Sequence, residues 1–171
     1  MKNIPKRRLT LFLGFLMAAC GGSPTGPSVA ATPTPAPTYP VLTGGWGGTW
    51  SAVAIYTDGS RLSSSCSMTW IVPSQTGGSF SGTFTRTGGG VVDCAEVGTV
   101  SGQVSLTGAL TFAFVTSSQS SCVRIAGSEG YGGVVSTTGG LTAQQVQTIR
   151  CSSGSLSVQG DRTAIVSLNR R

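Results

Sequence analysis

The sequence has no histidine. The usual general base near neutral pH and the commonest neutral-nitrogen metal ligand are therefore missing. Ser-His-Asp and Cys-His nucleophilic arrangements are excluded. Lysine stops at Lys6, and the only carboxylates are Asp58, Asp93, Glu96, Glu129 and Asp161. Charged residues make up 9% of the chain, which disfavours a helical bundle or coiled coil. No apolar run reaches the ~18 residues of a membrane-spanning helix. What the chain has instead is glycine, 26 of 171 residues, among many Ser, Thr and Val. That composition suits short strands and turns, and the length suits one domain with a tail.

The first twenty residues read as an export address. Lys2, Lys6, Arg7 and Arg8 form a positive segment, and Leu9–Ala19 is an apolar run of eleven residues. That length falls within the ~7–15 of a secretory signal. The run ends Leu16-Met17-Ala18-Ala19-Cys20, which resembles the lipobox of bacterial lipoproteins. The resemblance implies that the Cys20 thiol receives a diacylglyceryl group, that the peptide is cut before it, and that the new amine is acylated. Met17 stands where Leu is commoner, and the alternative is an ordinary signal peptide with a chance cysteine. Two or more acyl chains make a stable anchor. Gly21 is not Asp, which in lipoproteins of Gram-negative bacteria implies the outer membrane. The expected location is the cell envelope, facing either the periplasm or the exterior.

Residues 21–40, GGSPTGPSVAATPTPAPTYP, hold six of the eight prolines. Proline fixes φ and lacks a donor, so this run cannot nucleate a helix or join a sheet. At ~3.1 Å per residue it reaches at most roughly 60 Å. The expected organisation is a signal peptide over 1–19, a lipidated Cys20 with its linker over 20–40, and a domain over 41–171.

In that domain, period-two alternation recurs between turn signals. Strands are expected over Trp46–Tyr56, Cys66–Val72, Ser79–Arg86, Thr99–Ser105, Ala109–Val115, Arg162–Asn169 and, less distinctly, Leu141–Ile149, whose QQVQT centre also suits a helix. Another starts at Cys122 and continues, bulged near Gly127 and Gly130, to Ser136. Pro73 to Gly78 reads as a turn. A short repeat, G-[ST]-Φ-S-G-x-Φ, occurs at Gly78–Phe84 and Gly98–Val104. Its central Gly82 and Gly102 share a face with apolar residues, which suits close backbone approach in a curved sheet. Eight antiparallel strands with short connections predict an all-β, up-and-down barrel, closed so that no edge is exposed. A two-sheet sandwich is the alternative.

The four remaining cysteines test that topology. In an up-and-down meander, Cys66, Cys94, Cys122 and Cys151 all fall in or beside loops at one end. Export and an even count suggest disulfides. Neighbouring loops would join Cys66 to Cys94 and Cys122 to Cys151. Each bond would close a loop of roughly 28 residues, worth up to ~3–4 kcal/mol. The even spacing lacks the CxxC pairs of structural zinc. Asp93 and Glu96 flank Cys94 and could hold Ca²⁺ or act as a glycosidase pair. Calcium wants ~6–8 oxygens, however, and solvated loop charges are the simpler reading. No metal, cofactor or catalytic residue is expected, and the protein is read as non-enzymatic.

Gly44-Gly45-Trp46 and Gly48-Thr49-Trp50 carry the G-x-W that resembles the first strand of lipocalin-like barrels, and Gly48-Thr49-Trp50 is similar to the GTW opening of avidin-like barrels. The lipocalin resemblance implies a basic residue near the last strand packing on that tryptophan, with Arg170 the candidate. No avidin-like biotin-contact pattern follows in the later strands. The cysteines depart from the usual lipocalin placement. Trp46, Trp50, Trp70, Phe84 and Phe112 would either line a pocket for a small apolar ligand or fill the interior, since a small eight-stranded barrel does one or the other. Two functions follow as expectations. One is a monomeric envelope lipoprotein, held to the membrane by its lipid, whose barrel binds a partner or a matrix component. The other is a lipocalin-like carrier.

The formal charge is +6, but four of the eleven basic residues belong to the export segment. Without them the count is seven Arg against five acids, and two of those Arg are Arg170 and Arg171. The domain body balances at 5 − 5 = 0, and a nucleic-acid partner is not expected.

Overall fold

The structure is a computed structural model that describes residues 35–88, 94–116, 122–153 and 155–171. Cys20, the export segment and most of the linker lie outside the described residues, as does Asp93.

Alternation builds the strands. In β2 (Arg61–Thr76), Ser64, Cys66, Met68, Trp70 and Val72 are buried while their neighbours face outward. The same rule runs through β1 (Gly44–Tyr56), β3 (Ser79–Thr87), β4 (Glu96–Val104), β5 (Ala109–Thr116), β8 (Gly140–Ser153) and β9 (Leu156–Arg170). Between β5 and β8 come two short strands, β6 (Cys122–Gly127) and β7 (Tyr131–Val135). Neighbouring strands pair antiparallel in the order β1-β2-β3-β4-β5-β7-β8-β9, and β9 returns to β1. The result is a closed eight-stranded barrel with β6 as an extra strand on β8. Closure removes the sandwich alternative.

Two elements differ from the sequence reading. Strand β2 continues through Pro73 to Thr76, where a turn was expected. Its register with β3 shifts between Ile71 and Ser74, and this bulge accommodates the donor that Pro73 lacks. The single bulged strand expected over Cys122–Ser136 divides in two. A register shift lies between Arg124 and Ala126, and Gly127 has φ +90°, a backbone state that only glycine adopts easily. Only β7 reaches β5, over Ala109–Phe112. The QQVQT segment is strand, because ladders on both sides of β8 satisfy its backbone.

The two ends of the barrel differ. The β1–β2, β3–β4, β5–β6 and β8–β9 connections lie at one end, here the upper, with both disulfides. The β2–β3, β4–β5 and β7–β8 turns lie at the lower end, where the chain also enters and finishes. The entering segment is stitched across that lower mouth. Leu42 N–H donates to Gln75 Oε1 (2.7 Å), Gln75 Nε2 donates to Pro40 O (2.9 Å), and the Trp46 indole donates to Leu42 O (2.7 Å).

The interior is narrow, and glycine sets its width. Gly98 lies opposite Phe84 in the ladder, and Gly102 lies between Phe80 and Phe112. A Cβ on Gly102 would overlap the Thr111 carbonyl oxygen and sit 2.6 Å from Phe112 Cβ. Gly102→Ala is expected to cost about 1–3 kcal/mol in urea unfolding. Ser101→Ala, exposed on the same strand, should stay within about 0.5 kcal/mol of the wild type.

Candidate functional site

The five aromatic residues singled out above all point inward. Trp46, Trp50, Trp70, Phe84 and Phe112 are each at most 3% exposed. Trp70, Phe84 and Phe112 touch one another directly or through further rings. Trp70 meets Phe112 edge-on at 4.8 Å and Phe114 at 5.8 Å between centroids. Phe84 packs on Phe114 at 4.4 Å, and Phe112 stacks on Tyr131 at 5.0 Å. The Trp50 indole donates to the Tyr131 hydroxyl (2.9 Å), so Tyr131 joins the stack to the polar end. Each such aromatic pair adds about 0.5–1.5 kcal/mol beyond its area burial. This chain of rings occupies the middle of the barrel.

Above the rings the interior becomes polar. Arg86 is 5% exposed and bonds through Nη2 to Glu96 Oε2. Its guanidinium carbon stands 4.3 Å from the Trp50 ring centroid and 5.7 Å from that of Phe84. Arg162 reaches the same tryptophan at 5.3 Å. A third arginine, Arg124, pairs in register with the inward Ile149 and binds Glu129 at 2.6 Å. Trp50 thus lies beside two cations, and the negative face of its ring compensates part of their desolvation. The resemblance to lipocalin-like barrels placed such a contact between Arg170 and the G-x-W tryptophan, and Trp46 is the one beside it. Here the two are paired in register, but the Arg170 guanidinium donates to Thr43 O (2.8 Å). The recorded cation–π contacts fall on Trp50 and Phe84.

Composition hid these arginines because their charges cancel in a sum. Alternation could have found them. Arg86 follows Phe80, Gly82 and Phe84 on one face, and Arg162 precedes Ala164, Val166 and Leu168 on another. Each continues the inward parity of its strand.

The cysteines frame this upper chamber. Cys66 is bonded to Cys94, with both residues buried, and Cys122 to Cys151 across the β6–β8 pair. The sequence separations are 28 and 29 residues. Chain entropy alone makes each worth about 3–4 kcal/mol. The ladder between β5 and β7 runs over Ala109–Phe112, and the second disulfide ties β6 to β8 above it.

Glu96 is held by Arg86, and Asp58 accepts bonds from the Ser60 hydroxyl (2.6 Å) and amide (2.9 Å). Those two bonds hold the Asp58 carboxyl below its ordinary value. Among the described residues no three His, Cys, Asp or Glu side chains gather to hold a metal. No family model matches the sequence, and no curated protein matches it.

The Arg86–Glu96 pair can be weighed by substitution. Arg86→Met strands a carboxylate whose side chain is only 13% exposed. It should cost about 3–5 kcal/mol in chemical unfolding, and Arg86→Met/Glu96→Met should recover much of that loss. A single variant as stable as the wild type would show that the pair contributes nothing.

Proposed function

We propose that this protein is a lipid-anchored envelope protein that presents a disulfide-braced barrel as a non-catalytic binding module. The anchor is Cys20, and the outer membrane is its expected home. The observation that carries the binding reading is the separation of the two ends. The chain enters at the lower end, so a tether from the membrane meets the barrel there. The disulfides, Arg86, Arg124 and Arg162 gather at the opposite end, where a partner in the envelope or matrix can reach Arg124 and Arg162. Recognition there would use the rim around Arg162 and Arg124, with charge setting the choice of partner.

The carrier alternative places an apolar ligand in the barrel. Such a ligand would have to displace the rings of Trp70, Phe84, Phe112, Phe114 and Tyr131, which already contact one another. The module reading needs no such rearrangement.

Two measurements decide between these readings. Cys20→Ala should abolish incorporation of labelled fatty acid and move the protein out of the membrane fraction; a variant still labelled would remove Cys20 as the anchor. Native mass spectrometry of protein from its own cells should show the lipidated chain with no other small molecule. A retained adduct would make it a carrier.

A further inference from the structure

The lower end of the barrel carries features that neither its core nor the proposed partner site uses. The β4–β5 turn, Ser105-Leu106-Thr107-Gly108, puts Leu106 at its tip, 46% exposed. Tight turns ordinarily carry polar residues at that position. Beside it stand Tyr39 and Val41 of the entering segment, 41% and 55% exposed. These three side chains edge a hollow of about 360 Å³ whose walls also include Trp46, Val135 and Arg170. Arg171 follows at the same rim.

Charge is distributed in the same sense. Asp58 lies in the upper β1–β2 turn, Asp161 opposite Ile55, Glu96 opposite Arg86, and Glu129 between β6 and β7. Among the described residues the lower rim therefore carries no acid, and its charged side chains are Arg170 and Arg171. An aromatic residue, two aliphatic ones and two arginines on one rim form the combination that sits at a lipid–water interface.

We propose that this lower rim docks on an anionic phospholipid surface, so that the barrel stands on the membrane with its disulfide end outward. The inference rests on the proposed Cys20 anchor, which tethers the barrel to lipid. Tyr39 and Val41 of the entering segment stand on this rim, and a tether no longer than ~60 Å makes docking intramolecular. At the resulting effective concentration, a contact too weak to hold a free protein is largely occupied. Arg170 and Arg171 supply attraction to phosphate, and Leu106, Tyr39 and Val41 enter the headgroup layer. Thr107, Ser136 and Thr137 around the hollow supply hydroxyls for headgroup oxygens.

The test uses full-length protein purified from producing cells and reconstituted into vesicles of phosphatidylethanolamine with or without phosphatidylglycerol. Flotation reports the anchor. Hydrogen exchange in peptides covering 105–108 and 136–139 reports the face, with the upper turn at 57–60 as control. On phosphatidylglycerol vesicles the lower turns should exchange about tenfold more slowly than on neutral ones, while the control does not change. Leu106→Ser and Arg171→Ser, both at exposed positions, should each remove most of that protection without altering the near-ultraviolet circular dichroism. Protein that floats but exchanges equally on both lipids overturns the proposal. So does protection that arises without vesicles as protein concentration rises, which assigns the face to a second copy. Protein that does not float has no anchor, and the same turns, read at excess vesicles, then decide the face alone.

Discussion

Eight strands closed on themselves leave an interior about one layer of side chains wide, and everything else in this barrel follows from filling it. A ring that crosses the axis needs an absent side chain opposite. Gly98 opposite Phe84 and Gly102 between Phe80 and Phe112 provide that absence. Gly48 does the same between Met68 and Leu168. The high glycine content is thus partly a packing requirement, since strands otherwise lose stability from interior glycine. The strands approach closely because glycine lets them, and the rings then fill the reduced space.

The same constraint explains why the upper interior can hold charge. Trp50 spans the boundary between the ring stack and the polar chamber. Its indole N–H is satisfied by Tyr131, and its ring lies near the guanidinium groups of Arg86 and Arg162. Two buried or half-buried arginines would be expensive against aliphatic walls. Against an aromatic face, with Glu96 on one of them, the cost falls. The disulfide between Cys66 and Cys94 lies on the same side and fixes the β3–β4 connection to β2. The chamber is therefore held by a covalent bond, an ion pair and stacked cations, at the end where the strands have least ring packing to hold them.

Much of this architecture was legible in the residues. Period-two alternation placed the strands, and the cysteines fell at one end because an up-and-down meander puts alternate loops there. Two features were not legible. Pro73 looked like a terminator, and only the shift of register with β3 lets a strand pass through it. The segment after Cys122 looked like one bulged strand, yet β6 and β7 both pair with β8 and only β7 also pairs with β5. Such breaks depend on which strand lies alongside, a tertiary fact that local pattern does not carry. The inward arginines were hidden differently. They obey the alternation, but a charged residue on an apolar face reads as a loop charge until a carboxylate and a ring are seen beside it.

A summed charge of zero therefore describes this domain poorly. The charges are not dispersed but graded along the barrel axis. Among the described residues the acids and five arginines occupy the upper half, and the charged side chains of the lower half are Arg170 and Arg171 at its rim. Arg86 and Arg162 lie against the upper side of the ring stack, where the Trp50 face lowers their cost, and the rings fill the space below them. The entering segment adds a second asymmetry. Gln75 and Trp46 bind its backbone across the lower mouth, so that mouth is closed by the chain's own approach. A barrel sealed where its tether arrives and charged where its disulfides lie has a built-in direction. That direction comes from packing, before any partner or membrane acts on it.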